Sequence, residues 1–109
     1  MSVYALNLFT IANRREYLAY LTRSGDAVAR HNGRVHAIGK YLETREGDVR
    51  PRQVMIVVEW ASKADFERYM HDPELQDLHP HREKGATDYV WQLFEKQDDF
   101  RGILKAAKA

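Results

Sequence analysis

The feature that most constrains the fold is a run of five apolar residues at positions 54–58, Val-Met-Ile-Val-Val. Four of these five side chains are branched at the β-carbon, and such side chains favour an extended, pleated backbone. Because successive side chains of a strand point to opposite faces of its sheet, this strand would be apolar on both faces. We therefore predict a strand here and expect both faces of its sheet to be covered.

Two further segments share this character. Residues 3–9 are apolar on both faces, and residues 89–94 carry aromatic or aliphatic groups on both. In the first segment one face would hold Val3, Ala5 and Phe9, and the other Tyr4, Leu6 and Leu8. We predict a strand at each segment and expect the first to be central in the sheet.

A fourth strand is predicted at residues 34–44. Strand periodicity would place His36, Ile38 and Lys40 on the same face of the sheet. The segment that follows, residues 45–51, is charged and contains both Gly and Pro, which is typical of a solvated loop. The loop would join this strand to the strong strand at 54–58 as a hairpin.

A long helix is predicted between the first two strands. Tyr17, Leu21 and Val28 fall on one stripe when residues 14–31 are helical. The following pair, residues 32–33, is Asn-Gly, which supplies the left-handed residue that commonly ends a helix.

Helical signals also follow the strand at 54–58. Ser62, with Asp65 three residues later, resembles a capping box that opens a helix. We predict that the helix restarts at Asp72, which precedes a proline, and is disturbed at Pro80. A short amphipathic helix is predicted in the tail, with an apolar stripe of Phe100, Ile103, Leu104 and Ala107.

The order of the core elements is β-α-β-β-α-β, the ferredoxin-like α+β arrangement of an antiparallel sheet with helices on one face. The opposite face would be open, yet its strands are apolar, and a large exposed apolar patch is rare on a monomer. Packing against an identical sheet is the simplest cover, so we predict a two-fold symmetric homodimer. The alternative is a monomer whose tail helix folds over the sheet. We assign residues 1–95 to this domain and residues 96–109 to a C-terminal helical extension.

Composition excludes several classes of function. With 17 basic and 16 acidic residues the net charge is +1, which gives no electrostatic footprint for nucleic acid or an anionic membrane. The chain has no cysteine, which excludes disulfides, thiolate nucleophiles and cysteine metal sites. The first residues lack a basic region ahead of an apolar stretch, so we expect a cytoplasmic protein.

Several short motifs, in order and at consistent spacing, resemble a bacterial family of domains of unknown function, numbered 1330. They are His-Asn-Gly-Arg at 31–34, Gly39, Glu-Gly at 46–47, Arg-Pro at 50–51, Val-Val-Glu-Trp at 57–60, Ser62, Asp-Pro-Glu-Leu-Gln at 72–76, and Arg82. The resemblance covers roughly residues 3–95. It implies the dimeric α+β barrel and no particular reaction.

Two histidines are candidates for proton transfer, because imidazole titrates near neutral pH. His36 lies in a predicted strand among apolar residues, and it could act as a general base if it faced a cleft between sheet and helices. His31 ends the first predicted helix. A structural role is the favoured alternative for both. His31 would be a cation at a helix C-terminus, which is worth about 0.3–1 kcal/mol. His36 would be held by hydrogen bonds or would lie on an edge strand in contact with water.

Five other residues are candidates for substrate binding. Arg34 and Arg82 could each hold a carboxylate through the two-pronged guanidinium, and Glu59 would need such an arginine as its partner. Trp60 and Tyr69 could line an apolar cleft for a planar ligand, or they could simply be core residues.

The histidines at 71, 79 and 81 do not have the spacing of a metal site, so we predict neither a metal nor a cofactor. No phosphate-binding glycine motif or serine-hydrolase motif is present. By analogy of fold, we predict a cofactor-independent enzyme that acts on a small aromatic or carboxylated metabolite. A non-catalytic protein that binds a small ligand, or a purely structural dimer, fits the same residues.

Overall fold

The protein is seen in a computed structural model that describes residues 1–108. Four strands and four helices follow one another as β1 (Val3–Ile11), α1 (Arg14–Arg30), β2 (Gly33–Lys40), β3 (Val54–Trp60), α2 (Lys63–His71), α3 (His79–Gly85), β4 (Ala86–Glu95) and α4 (Arg101–Ala106). A single 3₁₀ turn, Pro73–Leu75, lies between α2 and α3. The strands form one antiparallel sheet in the order β2-β3-β1-β4. This is the predicted ferredoxin-like α+β fold, which is therefore confirmed.

The helix boundaries follow from local hydrogen bonds. The side chain of Asn13 accepts from the backbone N–H of Glu16 and begins α1, and Ser62 begins α2 in the same way. Asn32, with a φ of 62°, is the left-handed residue after α1. The expected disturbance at Pro80 is not found, because Pro80 lies in the first turn of α3, where a missing N–H costs no hydrogen bond.

One face of the sheet carries the hydrophobic core. We call it the inner face, because its side chains pack against α1 and α2. Four large side chains are completely buried there or in the adjoining helices, namely Phe9, Trp60, Tyr69 and Leu78. Trp60 packs against Tyr69 with 5.0 Å between ring centroids, and Phe9 stacks on Tyr89 at the same separation.

The opposite face is apolar and belongs to neither core cluster. We call it the open face and define it by Tyr4, Leu6, Leu8, Met55, Val57, Val90 and Phe94, all of which retain some exposure. The apolar character that the sequence predicted for both faces of the sheet is therefore present.

A β-bulge in β2 changes one predicted face. Val35 pairs with Val58 but Ala37 pairs with Val57, so His36 is an extra residue in this strand. As a result Val35 and Ile38 both point to the inner face, while His36 points to the open face. The prediction that His36 and Ile38 share a face is wrong, because strict alternation does not survive a bulge. β2 also ends at Lys40, four residues before its predicted end.

Candidate functional site

A small cavity lies between α1 and the inner face of the sheet. We call it the inner cleft, and its volume is about 90 Å³. Its floor is formed by β1, β3 and β4, its wall by α1, and its mouth by the half-exposed or exposed side chains of β2. Its lining residues include Asn7, Tyr17, Tyr20, Gly25 and Tyr89.

Asn7 is a buried polar residue at the floor of the inner cleft. Its side-chain N–H₂ donates to the carbonyl oxygens of Ala5 (3.2 Å) and Ile56 (3.3 Å). Its side-chain oxygen accepts from the hydroxyl of Tyr89 at 2.5 Å. These three contacts hold the amide in one orientation and aim its oxygen at the phenol.

The phenols around the inner cleft stay protonated at neutral pH. Burial raises the pKa of Tyr89 and that of Tyr17 far above the usual range for a phenol. The hydroxyls of Tyr20 and Tyr69 share a hydrogen bond of 2.8 Å, and burial raises the pKa of both groups as well. These side chains can therefore donate a hydrogen bond, but they are weak acids and poor bases.

Arg82 places a cation inside this aromatic layer. Its side chain is only 8% exposed, and its guanidinium carbon lies 4.6 Å from the ring centre of Trp91 and 5.4 Å from that of Tyr89. Within residues 1–108 the carboxylate that approaches it is the exposed Glu83, at 3.8 Å, and the buried Nε has no hydrogen-bond partner. A buried charge normally requires a close partner, and a bound anion would provide one for Arg82.

Other buried polar atoms near this layer also lack partners among the described residues. Both ring nitrogens of His79 are buried without a hydrogen bond, as are the indole N–H groups of Trp60 and Trp91. His79 packs edge-on against Tyr69 at 5.2 Å. Burial, and then the positive charge of Arg82, lower the pKa of His79, which keeps its imidazole neutral. These groups without partners are concentrated in one layer of the molecule, beside Arg82.

Six of the seven predicted site residues fall into two groups on opposite faces of the sheet, and the seventh, His31, lies apart from both at the end of α1. Three of them, Trp60, Tyr69 and Arg82, belong to the buried layer on the inner face. Arg34, His36 and Glu59 lie together at the edge of the open face. The sheet separates the two groups, so they do not form one site within a subunit.

Glu59 is the centre of the open-face group. It accepts from Arg34 at 2.8 Å and from Lys96 at 3.1 Å, while Nδ1 of His36 is 3.9 Å away. The hydrogen bond from Lys96, with the charge of Arg34, holds the pKa of Glu59 below its usual range. His36 is half-exposed and borders a shallow pocket of about 320 Å³ that Tyr4 also lines. His36 therefore borders a cavity, but not the cleft between sheet and helices in which it would act as a base.

His31 has a structural contact at the end of α1. Its Nε2 lies 2.8 Å from the carboxylate of Asp72, and this hydrogen bond lowers the pKa of the acid. Asp72 in turn accepts from the backbone N–H of Glu74 and begins the 3₁₀ turn. The pair therefore ties α1 to the segment between α2 and α3.

Within residues 1–108 no group of three or more His, Asp or Glu side chains is arranged to hold a metal ion. Across the same residues, none of the helices has both the length and the apolar character that crossing a membrane requires.

The residues that line the inner cleft were not predicted from the sequence to form a site. Asn7 carried the best signal, since it is the polar residue on a strand face that otherwise holds Val3, Ala5 and Phe9. Tyr89 could not be distinguished from an ordinary core aromatic, because only the structure shows its bond to Asn7.

Comparisons with known proteins place the fold. Residues 2–95 match the model of a family described as "Domain of unknown function (DUF1330)". No curated protein is significantly similar to the chain in sequence. A solved protein of unknown function, RPA0582 from Rhodopseudomonas palustris, is 21% identical with a TM-score of 0.78, over 90% of this chain and 84% of that one.

Two more distant structures share the fold. SnoaB from Streptomyces nogalater, described as a cofactor-independent oxygenase, is 17% identical with a TM-score of 0.65, over 92% of this chain and 97% of that one. A dimeric ferredoxin-like protein of unknown function from Thermobifida fusca is 15% identical with a TM-score of 0.56, over 88% of this chain and 92% of that one. At such identities the likeness establishes the fold alone.

Proposed function

The chain belongs to the DUF1330 family of domains of unknown function, and from that premise we propose that it is a homodimeric, cofactor-independent enzyme acting on a small aromatic or carboxylated metabolite. The substrate would bind at the inner cleft of each subunit. Two solved structures with this fold are described, respectively, as a cofactor-independent oxygenase and as a dimer, which supports the class of function and the assembly.

The observation that carries the proposal is the buried guanidinium of Arg82, whose carboxylate neighbour is the exposed Glu83 at 3.8 Å and whose Nε has no hydrogen-bond partner among the described residues. Its burial between aromatic rings is costly without a close anion, and a substrate carboxylate would meet that need in a bidentate contact. Tyr89 connects this cation to the inner cleft, because its ring lies beside the guanidinium and also lines the cavity. The aromatic neighbours favour a planar ligand.

In this proposal Tyr89 takes the role of hydrogen-bond donor. Its hydroxyl is bonded to Asn7 at the cleft floor, and its raised pKa keeps the proton on the phenol. A substrate carbonyl that displaced the Asn7 oxygen as the acceptor would receive this hydrogen bond, which would stabilise negative charge developing on the carbonyl oxygen. His31 and His36, the candidates from the sequence, lie outside the inner cleft and are assigned no step.

The open face supports the homodimer. Its apolar side chains lie outside both core clusters, and an identical sheet would cover them in a two-fold contact. The active sites would then lie on the outer layers of the dimer, each within one subunit.

A second candidate, a non-catalytic binding or structural dimer, is favoured by the size of the inner cleft. About 90 Å³ is well below the roughly 300 Å³ of an ordinary small-molecule pocket. An aromatic substrate would therefore have to extend through the mouth of the cleft, beside Gly25 and the exposed Ile38.

The test is ligand binding by the full chain. We would measure thermal unfolding and NMR shifts with benzoate, salicylate and 4-hydroxybenzoate, and follow turnover after dialysis against a chelator. A ligand at 100 times its Kd should stabilise the protein by about 2.7 kcal/mol. Arg82→Met should abolish that gain while folding as well as the parent, since an apolar chain replaces a buried charge whose carboxylate partner is exposed and 3.8 Å away.

Two further variants make the result specific. Arg23→Met removes an exposed arginine paired with Asp77 and should leave binding unchanged. Tyr89→Phe should retain binding and lose turnover, because it removes only the hydroxyl that donates the hydrogen bond. Equal binding by Arg82→Met and the parent would reject the site, and turnover by Tyr89→Phe at the parental rate would reject its role as the hydrogen-bond donor. Binding without turnover by the parent would favour the second candidate.

A further inference from the structure

The loop between β2 and β3 forms a second cavity on the open face. Arg50 binds the carboxylate of Asp88 at 2.5 Å, and Arg52 donates through Nε to the carbonyl of the same residue at 3.2 Å, which fastens the loop to β4. Beneath the loop lies a cavity of about 330 Å³ between Val49 and the open-face residue Met55. We call it the loop pocket.

The loop pocket has apolar walls and a basic rim. Leu8, Tyr41, Val49, Pro51 and Met55 form the walls, with Lys40, Arg50 and Arg52 at the edge. Val49 is 65% exposed, so its side chain is available for an apolar contact. The surface therefore suits an apolar segment that carries acidic residues next to it.

The tail of the same chain has these properties. Phe100 (71% exposed), Ile103 and Leu104 form an apolar stripe, and no residue of α4 is buried. A helix of six residues is not stable by itself in water, so α4 needs a surface to pack on. Residues 98–99, immediately before the stripe, are both aspartate.

The pocket and the tail lie at opposite ends of one subunit. The backbone N–H of Lys96 bonds to the carbonyl of Ser2, at the end of the sheet where the tail departs. Leu8, in the pocket wall, pairs with Val90, which is five residues before the end of β4 and therefore about 17 Å away along the strand. The tail therefore leaves the sheet at the end opposite to the loop pocket of the same subunit.

We propose that α4 of each subunit docks into the loop pocket of a second copy of the chain. This inference rests on the homodimer proposed above. Two sheets can pack face to face so that α4 of one subunit lies beside the loop pocket of the other. The two-fold symmetry of such a dimer then repeats the same contact at its other end. Asp98 would then face the basic rim that includes Lys40, and Phe100 would enter the apolar cavity.

Disulfide trapping tests the docking in the full chain, because the protein has no cysteine of its own. Leu104→Cys and Val49→Cys chains with tags of different size would be co-expressed and oxidised. We expect a covalent pair that contains one of each chain. Leu42→Cys, also in the loop but 89% exposed and outside the pocket, replaces Val49→Cys in the control and should give at least tenfold less product.

Sedimentation of the parent chain separates the possible failures. A dimer whose thiols cross-link no better at position 49 than at position 42 would overturn the docking and leave the homodimer intact. A monomer would overturn both. As a second measurement, Phe100→Asp should raise the dimer dissociation constant at least tenfold, while Ala106→Asp on the same helix should change it less than threefold; equal effects would also overturn the docking.

Discussion

The two faces of the sheet differ in whether their buried polar groups have hydrogen-bond partners. On the inner face Arg82 and His79 are buried with nitrogen atoms that have no partner among the described residues. On the open face Glu59 is bonded by two basic side chains, but apolar groups such as Leu6 and Val57 lie outside both core clusters. The inner face therefore needs polar contacts in a small space, and the open face needs apolar contacts over a wide area.

Because of this difference, the two faces suit different kinds of binding partner. Buried polar groups without partners are costly, and in the proposed function a small molecule would supply their contacts. An apolar sheet face is completed by a surface of similar size, for which a second copy of the chain is suited. Substitutions on the inner face should therefore change the stability of each subunit or its ligand binding, and those on the open face should change assembly.

The largest effect is expected from Trp60→Ala. Trp60 is fully buried against Tyr69 and Phe66, so its truncation should lower the free energy of unfolding by about 3–5 kcal/mol. Chemical denaturation at several protein concentrations checks this, and the loss should be the same at each. Phe94→Ala, on the open face, is the comparison, and its loss should shrink as the protein is diluted, because dimer formation then contributes less to the stability of the parent. Concentration-dependent losses in both variants would contradict the division between the faces.

The next effect is on assembly. Val57→Asp places a charge in the middle of the open face, where dimer contact would desolvate it, so the dimer dissociation constant should rise by at least about 100-fold. Analytical ultracentrifugation measures it. Leu18→Asp, which changes an exposed leucine of α1 outside this face, is the matched control and should leave the constant unchanged. The homodimer proposal fails if the two variants behave alike.

Most of the fold could be predicted from the sequence, because it depends on patterns that extend over many residues. The runs at 54–58 and 3–9, and the stripe that includes Tyr17, are of this kind. The face of His36 could not be predicted, since one extra residue in β2 reverses it and leaves no mark in the composition.

The candidate site was predictable only in part. Arg82, Trp60 and Tyr69 were recognised by residue type, and the structure brings them into one buried layer. Their relation to Asn7 and Tyr89 depends on the register of β1 with β4, which pairs strands far apart in sequence. No local pattern contains that information.

Substitutions at two helical glycines should change the free energy of unfolding by smaller amounts and in opposite directions. A methyl group at Gly25 would meet nothing within 4 Å, whereas at Gly85 it would lie 2.5 Å from the backbone nitrogen of Tyr17. Gly25→Ala should therefore raise the free energy of unfolding by about 1 kcal/mol, and Gly85→Ala should lower it by about 1–3 kcal/mol. Denaturant titration measures both. Because Gly25 lines the inner cleft, the stabilised variant should also bind any cleft ligand more weakly. Stabilisation by both substitutions would contradict the close contact of α3 with α1.

The smallest expected effect concerns the pH dependence of stability. Burial, and next the charge of Arg82, lower the pKa of His79 below its ordinary value of 6.5. The unfolded chain then binds a proton at a higher pH than the folded chain does. Stability from this group is therefore complete above about pH 6.5 and is lost as the pH falls through that value towards the lower pKa of the folded state.

Urea unfolding of the parent between pH 7.5 and 5.5, where carboxylates remain ionised, should show the midpoint falling as the pH falls. His79→Leu should flatten this dependence, because the group that is protonated on unfolding is gone and leucine leaves no polar atom at this buried position. His71→Gln, at an exposed histidine of α2, should keep the parental slope. A slope that survives in His79→Leu would mean that the unpartnered imidazole on the inner face does not stay neutral, and the contrast between the two faces would then rest on Arg82 alone.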